Sequence, residues 1–150
     1  MKKQADTAVH AWLIAIKAFS AVARVLLAEF EAANLCESDF RVLEVLLHKG
    51  PLPVNVIGPK VNLTTGSMTT AIDRLFAKGL VTRCEAKDDR RVRIVALTAA
   101  GKQFITPVFK KHAQTLNKIF SVLSEDEKRS LEALLKKVGL NAERLHAEGS

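Results

Sequence analysis

The chain has 150 residues, 48% hydrophobic and 26% charged, a composition that excludes a disordered tail and suits a globular protein able to bury roughly 70% of its unfolded surface. Twenty-three Lys and Arg outweigh sixteen Asp and Glu for a net charge of +7, which points to nucleic acid or anionic lipid without choosing between them. Two cysteines, Cys36 and Cys84, exclude a disulfide framework and match no metal-ligand spacing, as expected in a reducing, cytoplasmic setting.

The start, Met1-Lys2-Lys3 before an apolar stretch, looks only superficially like a secretion signal, because Asp6, His10, Lys17 and Arg24 interrupt it. The same interruptions argue against a membrane span, which needs about 20 nearly uncharged residues. From about Asp6 to Ala33 there is no Pro or Gly, and Trp12, Ile16, Phe19 and Ala23 recur at spacings of three and four; this predicts one long helix. Leu13, Ala15, Val22, Val25, Leu26 and Leu27 widen the apolar surface beyond one stripe. Either a partner subunit or the interior of a monomeric bundle would supply the second side.

A second helix is predicted over Glu37 to Lys49, with Phe40, Leu43, Leu46 and Leu47 inward and Gly50-Pro51 as the stop. Val54, Val56, Ile57 and Val61 allow a short third helix interrupted by Gly58-Pro59. Thr64 or Thr65 then caps a fourth, whose apolar face is Met68, Ala71, Ile72 and Leu75 and whose stop is Lys78-Gly79. Opposite that face lie Gly66, Ser67, Thr70, Asp73, Arg74 and Ala77, small or hydrogen-bonding residues that let the helix approach another surface closely, with Arg74 able to reach a phosphate or guanine edge.

Beyond Gly79 the period changes. Leu80 to Cys84 and Val92 to Leu97 read as two strands of a hairpin with a charged tip, Glu85 to Arg90. Thr98 caps a further helix to about Val122, with a kink expected near Thr106-Pro107. Ser124-Glu125-Asp126-Glu127 is a capping-box pattern opening a last helix through Leu131, Leu134, Leu135 and Val138 toward Gly139, and the tail from Asn141 to Ser150 either frays or extends it.

Three helices followed directly by a hairpin is the order of a winged helix-turn-helix, in which one helix lies in the DNA major groove and the hairpin is the wing. Arg83, Lys87, Arg90, Arg91 and Arg93 outnumber Glu85, Asp88 and Asp89 on that hairpin. A solvated turn is the bland reading of such a charge run; the small-residue helix before it favours the polyanion.

The run Asn62-Leu-Thr-Thr-Gly-Ser-Met-Thr-Thr-Ala-Ile-Asp-Arg-Leu75, then Lys78-Gly-Leu-Val-Thr-Arg83, Asp88-Asp-Arg-Arg91 and Val95-Ala-Leu-Thr-Ala-Ala-Gly101, resembles the MarR-type transcriptional regulators. The motif-bearing core covers about residues 35 to 105. The resemblance implies a mainly α fold with a small β-hairpin wing, in a single domain with dimerisation helices over about 6–33 and 99–146 and a DNA-binding lobe over about 37–98. It implies a homodimer that represses nearby genes from a palindromic operator and is released by a small ligand or oxidant. Ser67, Thr69, Thr70 and Arg74 would sit at the major groove, and Asp89 would pair with Arg91, fixing an arginine that enters the minor groove, with either Arg90 or Arg91 going deepest. Physically, Thr64 and Thr65 at a helix start are placed to bind a phosphate, and a guanidinium suits a narrow minor groove.

The expected partners are therefore double-stranded DNA, a second copy and a small-molecule inducer, with no membrane, cofactor or enzymatic activity. Family resemblance puts the inducer pocket between the dimer helices and the lobe, where Trp12, Phe19, Phe40, Phe104 and Phe109 are candidates that would serve a core equally well. Cys36, at the start of the second helix, is either a redox sensor or a plain buried or cap-substituting residue. His10, His48, His112 and His146 are scattered, with no metal spacing. The alternative function is a winged domain used for protein contact or scaffolding, its basic surface merely solubilising.

Overall fold

The computed structural model describes residues 2–149, with side-chain surroundings for 7–149. Met1 and Ser150, the ends of the signal-like start and of the tail, lie outside the described residues. The order is α1 (Lys2–Ala32), α2 (Glu37–Lys49), β1 (Leu52–Pro53), α3 (Val54–Val61), α4 (Thr65–Ala77), β2 (Val81–Glu85), β3 (Arg93–Leu97), α5 (Ala99–Phe120) and α6 (Glu125–Glu148). The chain divides into two compact units, Met1–Ala113 and Gln114–Ser150, the division falling within the residue range of α5.

In the first unit, Phe40, Val42, Leu43 and Leu46 of α2 pack with Ile57 and Val61 of α3 and with Met68, Ala71, Ile72 and Leu75 of α4. The predicted inward face of α4 is thus the buried one. The chain leaves α4 through a Gly79 of φ 70°, with the Leu80 amide donating to the Leu75 carbonyl and the Gly79 amide to the Phe76 carbonyl. This double bond pattern needs a left-handed residue, which glycine adopts without strain. Leu80 and Leu75 are both buried beside it.

The hairpin pairs Val81 with Leu97 through to Glu85 with Arg93. A strand absent from the sequence reading joins it: Leu52 and Pro53 pair with Val95 and Ile94, making a three-stranded sheet in the order β1-β3-β2. Two residues beside prolines carry no alternation from which a strand can be read. At the start of α5 the Thr98 hydroxyl accepts from the Gly101 amide and donates to the Gly79 carbonyl, locking the wing's last strand to the turn after α4. Pro107 lies inside α5, which is helical throughout.

α1 is apolar but largely exposed: Trp12 is 64% and Phe19 69% accessible. The expectation that its charges remove it as a membrane-spanning candidate is corrected here. Its most apolar 18-residue stretch within Thr7–Ala32 has a mean hydropathy of 1.8, so the helix is long and apolar enough to cross a membrane by length and composition, because Lys17 and Arg24 are too few to dilute the Ala, Val, Leu and Ile around them.

In the second unit, Ser124 and Glu127 complete the capping box that opens α6: the Glu127 amide donates to Ser124 Oγ and the Ser124 amide to Glu127 Oε2. The helix continues past Gly139 to Glu148, so the tail extends it. No described residue of α6 is buried, and Leu134, Leu135, Val138 and Leu140 are all more than half exposed.

Candidate nucleic-acid interface

The start of α4 is built by Thr64. Its Oγ1 accepts from the Ser67 amide, as an N-cap does, and its hydroxyl donates to Ser67 Oγ. Thr65, Gly66, Ser67, Thr69 and Thr70 form an exposed small-residue surface beyond it. The Thr69 and Thr70 hydroxyls donate to the carbonyls of Thr65 and Gly66 at 2.9 Å. With those protons engaged, both side chains present a methyl group and oxygen lone pairs outward.

Arg74 behaves otherwise. Expected to reach DNA, it makes hydrogen bonds within its own domain: Nη2 donates to Asp39 Oδ1 at 2.7 Å and to Ser38 Oγ at 3.1 Å, and Nε donates to Oδ1 at 3.1 Å. The Asp39 hydrogen bond holds the guanidinium pKa above its ordinary value. Asp39 is buried, so its charge requires a partner there. Sequence reasoning had no signal that α2 supplies an acid against Arg74.

At the wing, Asp89 Oδ1 accepts from the Arg91 amide at 2.9 Å and from Arg91 Nε at 3.3 Å, while the Arg91 side chain remains 93% exposed. Of the other wing cations, Arg93 pairs with Glu85 at 3.5 Å. Arg83 pairs with Asp73 at 2.5 Å and lies over the Phe76 ring at 4.2 Å, tying β2 to α4. Arg90 and Lys87 have no ion-pair partner among the described residues and stand exposed beside Arg91. One groove of about 730 Å³ brings Thr64, Thr65, Arg91 and Arg93 together over Gly58 and Pro59. The helix start and the held arginine therefore face a common space.

A second concavity, of about 180 Å³, lies between α1, α2 and the middle of α5. Phe30 and Phe40 stack in its wall at 4.4 Å and 22°, and His112 lies against both, its ring 5.6 and 4.7 Å from theirs. Of the predicted lining residues Phe19 and Phe40 are present; Trp12, Phe104 and Phe109 are not. Phe104 and Phe109 pack on the core. Phe30 and His112 escaped sequence reasoning because neither stands out from a helix's apolar stripe. Cys36 is exposed at the N-cap position of α2 and makes no side-chain hydrogen bond to the cap. Cys84 is exposed in β2, and among the described residues no group of three His, Cys, Asp or Glu is arranged to hold a metal.

A model of the MarR family matches residues 35–92. The chain is 40% identical over 113 residues to the HTH-type transcriptional regulator MhqR of Bacillus subtilis, covering 75% of this chain and 78% of that one. Its fold is similar to that of a MarR mutant from E. coli complexed with operator DNA, with a TM-score of 0.75, 25% identity and coverage of 85% and 91%. It is similar in fold also to BpsR of Bordetella bronchiseptica, whose DNA binding is regulated by 6-hydroxynicotinic acid, with a TM-score of 0.77, 21% identity and coverage of 84% and 90%.

Proposed function

The chain belongs to the MarR family of transcriptional regulators, and we propose that it binds a palindromic operator as a homodimer and leaves it when a small aromatic molecule fills the α1–α2–α5 cavity. One observation carries the DNA-binding geometry: Thr64 and Thr65 at the start of α4 share a groove with Arg91. With α4 in the major groove, Ser67, Thr69 and Thr70 meet base edges and the N-terminal amides with Thr64 and Thr65 meet a phosphate. Arg91, oriented by Asp89, enters the neighbouring minor groove with Arg90 beside it. Arg74 acts through Asp39, setting the pose of α4 on α2.

Two copies are needed because the exposed apolar surfaces of α1 and α6 exceed what scattered surface residues explain. A two-fold pair presents two α4 helices to half-sites about one helical turn apart. Repression follows where the operator overlaps a promoter.

The relay from cavity to DNA runs along α2. Arg41, at the cavity wall, donates to the carbonyl of Val61, the last residue of α3, at 3.1 Å, and pairs with Glu37. Asp39 on the same helix holds Arg74. Displacing α2 thus moves both ends of the helix-turn-helix. The regulation of the BpsR relative by a hydroxylated aromatic acid supports the ligand reading. Selection of bound duplexes from a random library tests the whole: an inverted repeat retained at low salt is expected, and no enrichment of any duplex overturns it.

A further inference from the structure

The hydroxyl protons of α4 are already engaged, and that restricts which base edges the helix can read. Thr69 Oγ1 donates to the Thr65 carbonyl and Thr70 Oγ1 to the Gly66 carbonyl, both at 2.9 Å. Each threonine can still accept through its oxygen, but donating to a base would first break a bond inside the helix. The residues with longer reach are engaged as well. Arg74 is held by Asp39 and Ser38, and withdrawing it would strand a carboxylate that is 1% exposed. Asp73, an acceptor in any case, pairs with Arg83.

The exposed surface of α4 from Gly66 to Asp73 therefore offers methyl groups and oxygen lone pairs. Among the described residues of that stretch, Ser67 alone keeps a side-chain proton that no protein acceptor takes; its Oγ accepts from Thr64. Gly66 leaves room beside Thr70, one turn away on the same face, since even a Cβ there would meet nothing within 4 Å.

The bases differ sharply against such a surface. In the major groove thymine shows a C5-methyl, adenine and cytosine each show an amino donor, and guanine shows only the acceptors O6 and N7. Threonine methyls suit the thymine methyl, and lone pairs suit an amino group. Guanine needs a bidentate donor, and the one arginine of α4 is committed to Asp39. An A·T pair supplies both the methyl and the amino group at once.

We propose that α4 reads its half-site through the C5-methyl groups of thymine and the amino groups of adenine, with Thr69 and Thr70 as the specificity-determining residues and Arg74 excluded from guanine recognition. This rests on the reading of α4 as the major-groove helix.

The test is fluorescence anisotropy of the full chain, at fixed salt, on a duplex bearing the inverted repeat enriched from the random library. Deoxyuridine in place of a thymidine deletes the C5-methyl and leaves the minor-groove edge unchanged, so the wing does not register it. At the thymines read by α4, the replacement is expected to weaken binding about fourfold per methyl, the value of one buried carbon, and about fifteenfold when made in both half-sites. Thr69→Ser and Thr70→Ser keep the hydroxyl and delete the methyl. At the thymine each one meets, the serine variant should bind the thymidine and deoxyuridine duplexes equally, whereas Thr→Val at the same position should retain the difference. Replacing guanine by 7-deazaguanine, which lacks N7, should cost less than about tenfold per half-site, no more than one neutral hydrogen bond from Ser67. Equal affinity of the parent for thymidine and deoxyuridine duplexes at every position, a uracil penalty undiminished in both serine variants, or a larger loss on 7-deazaguanine each overturns the proposal while operator binding stands. A library that yields no duplex removes the function above and this reading with it.

Discussion

Arg74 of α4 is fastened to Asp39 of α2, Nη2 to Oδ1 at 2.7 Å, with the acid 1% and the base 37% exposed at their side chains. The asymmetry fixes what each substitution does. Arg74→Met leaves a buried carboxylate unmatched and is expected to destabilise by about 3 kcal/mol, the low end for a broken buried pair. Asp39→Asn keeps the shape and one acceptor while leaving the arginine free to reach water, and should lose about 1–2 kcal/mol. Urea unfolding of both variants checks the order; a smaller loss for Arg74→Met than for Asp39→Asn contradicts it. In the proposed geometry the pair orients α4 without reading bases, so Asp39→Asn should weaken every operator variant alike.

Arg91 and Asp89 separate charge from orientation at the wing. Arg91→Ala removes a cation and is expected to reduce the slope of log affinity against log salt by about 0.9, one phosphate-equivalent. Asp89→Ala keeps the cation but releases its Nε and amide, so affinity should fall with the slope nearly unchanged. Fluorescence anisotropy on one operator between low and moderate salt distinguishes them. Parent-like binding by Arg91→Ala would remove the wing from the interface.

Two glycines should respond in opposite ways. A Cβ on Gly101 would lie 1.9 Å from the Leu80 carbonyl oxygen, backbone that Thr98 also holds through its amide. Gly101→Ala is therefore expected to destabilise by about 3 kcal/mol or more, as overpacking against a fixed neighbour does. A Cβ on Gly66 meets nothing within 4 Å. Gly66→Ala should stabilise α4 by about 0.5–1 kcal/mol yet weaken operator binding, since the added methyl stands on the surface of α4 that the proposed geometry sets against DNA. Thermal melts with gel shifts would show the two effects uncoupled; a Gly66→Ala protein with higher melting temperature and undiminished affinity would place DNA elsewhere.

What was legible in the chain followed from locality. The buried stripe of α4, its Thr64 cap and the Gly79 stop are each specified by residues within a few positions of one another, where periodicity and capping rules operate, whereas the Asp89–Arg91 pair was implied by the family resemblance. Arg74's partner lies 35 positions away, and the Arg41 bond to Val61 spans 20; such pairings have no local signature. The same holds for β1, whose two residues become a strand only because Val95 and Ile94 are there to receive them. His112 reads as one more residue on a helix until α1 and α2 place Phe30 and Phe40 against it.

The exposed leucines and valine of α6 are the most economical test of the two-copy arrangement. Leu134 is 62% and Val138 66% exposed, and they stand four positions apart on one helical face, neighbours by the 3.6-residue turn. If a second copy covers them, burying a charge there is prohibitive without a partner, whereas in a monomer the same charge is merely solvated. Leu134→Glu with Val138→Glu should therefore give a monomer in sedimentation velocity. The first unit, which holds the residues proposed to face DNA, should keep its helical signal. Operator affinity should drop by about a hundredfold or more as the second lobe's contribution through effective concentration disappears. A parent protein that sediments as a monomer, or a double variant that binds the operator as the parent does, would show that one lobe suffices.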